Sequence, residues 1–412
     1  MDWREGRIVL PRNRLGNCIR WTTALTLAGL LLTLAEAPAR PDGGPVPAVP
    51  AVVHRLYLPV MRGPKWLFLP LAFANVPIAS KPWDRPASSA AAPAVRPANA
   101  SGREERGFVT RQGESLQLDG QPYVFAGINV SYLAGPFFPE ASVEGIVAFL
   151  ARQGVQVIRV WTEPWCNLDR VERLLDVGRE YNIRFVLTLQ NFFGQETGQW
   201  FREYYQDKDL PHIRNIVARF ADRPEILMWE LMNEPMCPSQ DSGQDCWDAL
   251  YLWAAETSQE IKRLDPNHLV TVGTQRAGFS PTAIAAFRRI HALDTIDAIS
   301  AHCEVGKLVQ GELDTEMAIA HELGKPLYLG EAGMRGHDES CQPLPGGALE
   351  RRAKAVAADI QESRARAIDG YLLWEYNYFG GVDMGSHIQY FCSVYGYFEN
   401  DPVWEVIQAA AE

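Results

Sequence analysis

Short apolar runs alternate with helix-length segments through most of this chain, and this alternation is the feature that most constrains its fold. Amphipathic stretches such as "VERLLDVGREYN" and "ALERRAKAVAADIQESRARA" separate the apolar runs. Eight strand-helix repeats in about 300 residues are typical of a (β/α)8 TIM barrel, an α/β fold with a parallel sheet. The candidate strands are "VFAGINV" (124–130), "VQVIRVW" (155–161), "RFVLTLQ" (184–190), "EILMWELMN" (225–233), "LVTVGTQ" (269–275), "IDAISAH" (296–302), "PLYLGE" (326–331) and "GYLLWEY" (370–376).

The alternative fold is an open, doubly wound sheet, which would carry a GxGxxG turn after its first strand. No such turn follows residues 124–130, so the closed barrel is favoured. Just before that strand, "FVTRQGESLQLDGQPYVF" alternates apolar and polar residues around Gly113 and Asp119-Gly120. This pattern predicts a small hairpin that closes the bottom of the barrel.

The first 106 residues differ in composition from the remainder. Arginines precede the uncharged stretch "WTTALTLAGLLLTLA" (21–35), which fits an export signal and is short for a membrane span of about 20 residues. We assign residues 1–37 to a signal peptide or, if it is not cleaved, a signal anchor. Residues 38–106 are rich in proline and alanine, which predicts a disordered linker. The catalytic domain is predicted over residues 107–412.

Two short apolar islands, "LYLPVM" (56–61) and "LFLPLA" (67–72), repeat inside the predicted linker. Attachment to the cell envelope through this N-terminal region is one interpretation, and weak collapse onto the neighbouring domain is the other and the favoured one. Together with the export signal, the pattern predicts a secreted, extracellular protein.

Charge is unevenly distributed along the chain. Up to Arg106 there are 14 Lys and Arg against 7 Asp and Glu, and after it there are 25 against 43. An acidic folded domain argues against nucleic acid as a partner, because phosphate binding needs a basic face. We expect a monomer that binds a neutral substrate.

Six cysteines follow Cys18, and in an exported chain they can pair in about fifteen ways. Cys237 and Cys246 flank a polar loop and are the favoured local pair, while buried free thiols are the alternative. No Cys and His spacing suggests zinc, so we expect neither a metal nor another cofactor.

In a TIM barrel the catalytic groups lie at the carboxyl ends of the strands. Nearly every predicted strand of this chain ends on a polar or aromatic side chain, so these groups are expected to converge on one mouth of the barrel. In strand order they are Asn129, Arg159 with Trp161, Asn191, Asn233 with Glu234, Gln275, His302, Glu331 and Trp374.

The two glutamates, Glu234 and Glu331, follow strands four and seven, which face each other across an eight-stranded barrel. Carboxyl groups about 5 Å apart are typical of retaining glycosidases, and a separation of about 6.5–9.5 Å is typical of inverting ones. Glu331 is expected to be ionised beside Arg159, and Glu234 is expected to keep its proton. A structural ion pair is the alternative for either glutamate alone.

Two motifs resemble known ones. "WELMNEP" (229–235) resembles the acid/base motif of the clan A glycoside hydrolases, and "GKPLYLGEAG" (324–333) resembles the nucleophile strand of glycoside hydrolase family 5. Weaker similarities occur in "GVQVIRVW", "LDPNHLVTVG", "IDAISAH" and "GYLLWEY". The resemblance covers roughly residues 107–412.

The resemblance implies a catalytic pair, with Glu234 as general acid/base and Glu331 as nucleophile. It also implies a group of residues that bind the substrate or support the site. Among these, Asn233 would bind the sugar 2-hydroxyl, Arg159 would brace the nucleophile, and Trp374 would form the sugar-binding floor. The group consists of Arg159, Asn233, His302, Trp374, Trp161 and Asn191.

One residue departs from the family pattern. At strand six the family has His-x-Tyr, whereas this chain has "HCEV", with Glu304 in place of the tyrosine. A third carboxylate there would raise the pKa of its neighbours. The alternative is that Glu304 points outward and a hydroxyl such as that of Tyr378 takes the tyrosine's role.

The function implied is a secreted, retaining β-glycoside hydrolase of β-1,4-linked polysaccharide, with endo-β-1,4-mannanase favoured. The alternatives are an endo-β-1,4-glucanase (cellulase) and an exo-β-glycosidase. A non-hydrolytic carbohydrate-binding barrel is a further alternative, and the intact glutamate pair argues against it.

Overall fold

The computed structural model describes residues 55–62, 65–72 and 107–411, with gaps at 136–141, 192–197, 238–243, 279 and 378–392. The chain divides into two units, Met1–Ala91 and Ala92–Glu412. The predicted signal segment, most of the predicted linker and Tyr378 lie outside the described residues. None of the helices in the described ranges has the length and apolar character that crossing a membrane requires.

In the first unit the structure describes one antiparallel hairpin. Strand β1 (Arg55–Arg62) pairs with β2 (Lys65–Ala72) so that Leu58 lies opposite Leu69. These strands coincide with the two copies of the repeated apolar motif. The sequence analysis did not predict that the two apolar islands pair with each other, as they do in the structure.

The second unit opens with a three-stranded antiparallel sheet and continues as the barrel. The small sheet consists of β3 (Val109–Gln112), β4 (Ser115–Leu118) and β5 (Gln121–Pro122). The barrel strands are β6 (Phe125–Asn129), β7 (Val157–Trp161), β8 (Arg184–Thr188), β9 (Ile226–Glu230), β10 (Leu269–Thr271), β11 (Ile299–Glu304), β12 (Leu327–Gly333) and β13 (Gly370–Leu373).

The barrel strands follow one another around the sheet, in the order β10-β9-β8-β7-β6-β13-β12-β11, and the pairs are parallel. A parallel bridge between Thr271 and Ala298 joins the two end strands. The backbone N–H of His302 also donates to the carbonyl oxygen of Gln275 at 2.8 Å. The predicted (β/α)8 barrel is therefore confirmed.

Helices follow the strands along the chain, together with a π-helical turn (Trp200–Tyr204) and a 3-10 turn (Leu308–Gln310). Local sequence signals fix several helix ends. For example, the Asn167 side chain caps α2 by accepting from the Asp169 N–H, and Asn182 ends that helix in the left-handed conformation. The helices are α1 (Ser142–Arg152), α2 (Leu168–Tyr181), α3 (Tyr205–Lys208), α4 (Leu210–Phe220), α5 (Gln244–Leu264), α6 (Pro281–His291), α7 (Asp314–Leu323), α8 (Ala348–Ala365) and α9 (Val403–Ala411).

The predicted hairpin closes the bottom of the barrel, as expected. Val109 and Leu116 pack into an apolar cluster with residues from the barrel strands, such as Phe125 and Leu372. The backbone N–H of Leu116 also donates to the buried carboxylate of Asp369 at 3.0 Å, just before β13. The active mouth is therefore left at the opposite end, where the strands finish.

Cys237 and Cys246 form a disulfide, which confirms the favoured local pair. Cys341 is also disulfide-bonded, whereas Cys166 and Cys303 are buried free thiols. The Cys237–Cys246 bond closes the loop that follows Glu234, and it therefore anchors the segment beyond the predicted acid/base.

The barrel strands differ in extent from their predictions, and three of the differences adjoin the site. Strand β9 ends at Glu230 and β10 at Thr271, earlier than predicted, while β11 continues to Glu304. The chain beyond β9 nevertheless stays bonded to its neighbours, because the Asn233 N–H donates to Gln190 and the Glu234 N–H donates to Gly273. Backbone hydrogen bonding therefore holds both predicted site residues in place beyond the regular strand.

Candidate active site

Arg159, the third residue of β7, lies at the centre of the polar groups inside the mouth of the barrel. Its Nη1 donates to Glu331 Oε1 at 2.7 Å and to Asn129 Oδ1 at 2.9 Å. Its Nη2 donates to Asn233 Oδ1 at 2.7 Å, and both Nε and Nη2 donate to Glu230 Oε1. Because the side chain is fully buried, Arg159 supports the site from below and does not face the substrate space.

Asparagines hold the strand ends around this guanidinium. Asn129 donates through Nδ2 to the carbonyl oxygens of Gly330 and Leu373 at 2.8 and 3.0 Å. Asn233 donates through Nδ2 to Asn191 Oδ1 at 3.0 Å. Asn233 and Asn191 are both buried, so their amides position neighbouring groups.

Glu234 has a backbone conformation that a non-glycine residue rarely adopts, with a φ of 51°. Such conformations cost about 1–3 kcal/mol and occur preferentially at functional sites. Here the carbonyl of Gly273 accepts the Glu234 N–H at 2.8 Å and so fixes this turn of the backbone. The turn directs the carboxylate toward His302.

His302 joins the two glutamates. Its Nδ1 lies 2.8 Å from Glu234 Oε1 and 3.6 Å from Glu331 Oε2. One ligand-type atom from each of Glu234, His302 and Glu331 lies within 4.8 Å of the other two. The two carboxylates are therefore close enough to act on one bond from opposite sides.

The pKa directions of the two glutamates are set by burial and by these contacts. Burial raises the pKa of Glu234, but the hydrogen bond and positive charge of His302 outweigh it and leave the pKa below its usual value. Burial also raises the pKa of Glu331, and the nearby charges of His302 and Arg159 offset this only in part. In this arrangement the directions are opposite to those expected for a protonated Glu234 and an ionised Glu331.

A cavity of about 440 Å³ opens directly onto this cluster. Of the predicted site residues, Glu234, His302, Glu331 and Trp374 line it, together with the strand-end residue Gln275. Arg159, Asn191, Asn233 and Trp161 lie behind this lining and are buried. The predicted groups therefore converge as expected, but they form two layers.

Trp374 and Tyr395 are the aromatic residues that line the cavity, and Trp374 is the one predicted from the sequence. The ring centroid of Trp374 lies 5.9 Å from that of Trp161, and the Trp161 ring in turn meets Tyr132 edge-on at 5.0 Å. Trp161 is nearly buried, so it supports Trp374 from behind and does not form a separate sugar platform.

Comparison with known proteins is consistent with this geometry. The family model described as "GH family 5 beta-mannosidase-like" matches residues 178–309, a range that includes Glu234 and His302. Mannan endo-1,4-beta-mannosidase F of Aspergillus clavatus is 27% identical over 216 residues, which cover 42% of this chain and 48% of that protein. Mannan endo-1,4-beta-mannosidase 7 of Oryza sativa subsp. japonica is 26% identical over 306 residues, or 56% of this chain and 78% of that protein. These matches support the assignment to glycoside hydrolase family 5 that the sequence motifs suggested.

The same fold is found in a solved mannanase structure. The endo-1,4-beta-mannanase from Rhizomucor miehei superimposes with a TM-score of 0.60 at 21% identity, over 74% of this chain and 98% of that chain. The match to the Aspergillus clavatus relative spans about half of that protein's length.

Glu304, which replaces the tyrosine of the family 5 pattern, is an exposed residue that lines the same cavity. Tyr395, which reaches the cavity from the chain just before α9, lies against Gly333, where a β-carbon would approach its ring to 3.3 Å. Tyr378 lies outside the described residues, so its suggested role stays a prediction. The described cavity thus contains a carboxylate where family 5 has a hydroxyl.

Two glutamates near the site, the buried Glu230 and the partly buried Glu375, were not singled out from the sequence. Glu230 binds Arg159, and Glu375 follows the floor residue Trp374 and accepts from Ser131 Oγ at 2.9 Å. Burial, reinforced by the charge of Glu331, raises the pKa of Glu375 to about 7. Their positions in the sequence could have pointed to them, because Glu230 lies in "WELMNEP" and Glu375 lies in "GYLLWEY".

Glu234, His302 and Glu331 are also the described residues whose donor atoms suit a transition metal such as zinc. However, the Arg159 guanidinium already binds one Glu331 oxygen at 2.7 Å, and His302 binds Glu234. These contacts therefore already occupy one oxygen of each glutamate.

Proposed function

We propose that this protein is a secreted, retaining β-glycoside hydrolase that cleaves β-1,4-mannan within the chain. The observation that carries the proposal is the approach of Glu234 and Glu331 within 4.8 Å around His302. Retaining enzymes place their two carboxyl groups about 5–5.5 Å apart, whereas inverting enzymes leave room for a water molecule between them. The short separation supports the retaining course that the sequence predicted.

Double displacement assigns one role to each glutamate. A Glu331 oxygen attacks the anomeric carbon and forms a glycosyl ester, while Glu234 gives its proton to the departing glycosidic oxygen. Glu234, now charged, then removes a proton from water as the water attacks the same carbon, and Glu331 leaves as a carboxylate. Two inversions give net retention.

The starting proton must lie on Glu234, although His302 lowers the pKa of that residue in the present arrangement. A sugar hydroxyl that accepts from His302 would break the His302–Glu234 hydrogen bond and remove this influence. Arg159 would stay on Glu331, since it is buried behind the cavity and held by four partners. We therefore assign His302 to substrate binding and, through it, to the protonation of Glu234.

Mannan is the proposed substrate because the named relatives are mannan endo-1,4-beta-mannosidases. The cavity fits a neutral sugar, as it combines the face of Trp374 with a few polar groups. Asn233 is proposed to bind the 2-hydroxyl, since its amide lies between Arg159 and Asn191 at the edge of the cluster.

Secretion is proposed from the N-terminal apolar segment and from the Cys237–Cys246 disulfide, because disulfides persist in oxidising compartments. Attachment to the cell envelope through the N-terminal region, and a monomeric state, remain parts of the proposal.

The decisive experiment is a hydrolysis panel with the full-length protein on mannan, glucomannan, cellulose and aryl β-mannosides and β-glucosides. Internal cleavage of mannan to short oligosaccharides is expected. Activity confined to cellulose would replace the proposal with an endoglucanase, and release of single sugars alone would replace it with an exo-β-glycosidase. Binding without hydrolysis on every substrate would indicate a non-hydrolytic barrel.

A further inference from the structure

Glu230 is a fully buried carboxylate at the end of β9, four residues before Glu234. Its Oε1 accepts from Arg159 Nε at 2.9 Å and Nη2 at 2.6 Å, and from Thr188 Oγ1 at 2.9 Å. Its Oε2 accepts from the Tyr328 hydroxyl at 2.8 Å. Burying a charge is costly unless it is paired and hydrogen-bonded, and the carboxylate of Glu230 meets both conditions through these contacts.

The fold makes room for this carboxylate. Gly273, at a φ of +87°, lies beside it, and a β-carbon there would lie 2.7 Å from Glu230 Cγ and 2.0 Å from the carbonyl oxygen of Met232. Tyr328 is itself buried on β12, three residues before Glu331. Strands β8, β9 and β12 therefore all contribute to one arrangement around the Glu230–Arg159 pair.

Arg159 is consequently shared between two carboxylates. Glu230 lies on the Nε and Nη2 side of the guanidinium, and Glu331 lies on Nη1. We propose that Glu230 is a positioning residue that fixes Arg159 and determines how much of its positive charge acts on the nucleophile Glu331. This inference rests on the proposed function, since it takes Glu331 as the nucleophile.

The charge balance has a chemical consequence. The groups that act on Glu331 are Arg159 and His302, which favour its ionised form, and Glu234, which disfavours it. Glu375 is coupled to it by like charge. If Glu230 lost its charge, Arg159 would act on Glu331 alone, which would stabilise the carboxylate and make it a weaker nucleophile.

The test is Glu230→Gln in the full-length protein, assayed with an aryl β-mannoside across pH. We expect kcat/KM to fall by about 10- to 100-fold, because nucleophilic attack slows. The acid limb of the kcat/KM profile reports the free nucleophile and is expected to move about one unit to lower pH. An acid limb that stays in place would overturn the proposal, even if activity falls.

Tyr328→Phe tests the same balance in the opposite direction. The substitution removes a hydrogen-bond donor from Glu230 without changing any charge. Glu230 then attracts Arg159 more strongly, so less of the positive charge of Arg159 acts on Glu331. The acid limb is then expected to move to higher pH by a few tenths of a unit. This variant decides the matter if Glu230→Gln fails to fold, because an unchanged limb in Tyr328→Phe would also overturn the proposal.

Asp401→Asn is the matched control. Asp401 forms an equally buried ion pair with Arg352, and neither residue lines the cavity, so its loss tests the general cost of disrupting such a pair. The variant is expected to lose stability without moving the acid limb. A shift like that of Glu230→Gln would mean that the limb reports stability alone, which would count against the proposal.

The inference remains testable if the wild-type protein hydrolyses nothing and the proposed function fails. In that case ¹³C-labelled glutamate would allow the Glu331 carboxyl to be titrated by NMR in the wild type and in Glu230→Gln. A lower pKa of Glu331 in the variant is the expected result. Equal pKa values in the two proteins would overturn the proposal.

Discussion

At the scale of single residues, the site depends on His302 as much as on the two glutamates. Its Nδ1 lies within hydrogen-bond distance of Glu234 and close to Glu331, so one imidazole acts on both carboxylates. Titrations of groups this close are coupled, so we expect a change at any one member to alter the others.

His302→Ala tests this coupling through the pH dependence. Its hydrogen bond and charge lower the pKa of Glu234, so removing the imidazole should raise that pKa. Because Glu234 must be protonated to act, the alkaline limb of kcat/KM should move to higher pH, while KM rises from lost sugar contact. An alkaline limb that moves to lower pH would contradict this coupling.

Glu234→Ala tests the acid/base assignment. Hydrolysis should fall by about 100-fold or more, least for aryl substrates whose leaving groups need no proton. Azide should restore turnover and give the β-glycosyl azide, because it attacks the glycosyl ester left on Glu331. Glu331→Ala is the matched comparison and should give the α-azide, through one inversion only. The same azide configuration from both variants would contradict the assignment.

At the scale of elements, the sequence predicted the barrel strands and the bottom hairpin because both depend on local patterns. Period-two alternation and β-branched runs are visible in the chain, and polar residues mark the strand ends. The sequence did not predict the division of the site into residues that line the cavity and residues buried behind them. Whether Arg159 or Trp161 faces the cavity or lies behind it depends on how neighbouring strands are staggered. The segment "VIRVW" does not indicate this stagger.

Glu230 was missed for a related reason. Within "ILMWE" it could be one polar residue at a strand end, and its importance follows only from the Arg159 and Tyr328 contacts made by distant strands. The Cys237–Cys246 bond, by contrast, was predicted, because it depends on local spacing. Contacts between residues far apart in the sequence could not be predicted from a single sequence.

The contact between the hairpin and the barrel gives a prediction at the same scale. Burial raises the pKa of Asp369 to about 7, although its bond from the Leu116 N–H opposes this. A carboxyl with a raised folded-state pKa favours the folded state at low pH, and that advantage is lost as pH rises from about 4 to about 7. Above pH 7 the buried charge is a net cost.

Asp369→Asn should therefore stabilise the protein at pH 8, by about 1 kcal/mol or more, and change little at pH 4, since one pKa unit corresponds to about 1.4 kcal/mol. Asparagine can still accept the Leu116 N–H. Denaturant unfolding at the two pH values is the measurement. Equal effects at both would show that Asp369 does not titrate as described.

At the scale of the whole molecule, the described site belongs to the unit that spans Ala92–Glu412. The site residues come from β6 to β13, so the whole barrel must form before the two glutamates meet. The N-terminal region is predicted to direct export.

A truncated chain that begins at Ala92 should therefore keep the activity of the full-length protein, within about twofold in kcat/KM on soluble manno-oligosaccharides. Both forms should be compared under the same conditions, with circular dichroism as the control for folding. A large loss of kcat/KM in a folded truncated chain would mean that the N-terminal region takes part in the site.

The stereochemistry of hydrolysis tests the central claim most directly, because it depends on the separation of Glu234 and Glu331. Proton NMR of the first products from a manno-oligosaccharide distinguishes the two anomers before they equilibrate. The account predicts that the β-anomer forms first, as two successive displacements at the anomeric carbon require. Initial release of the α-anomer would contradict it, since that result needs a water molecule between the carboxylates and a single displacement.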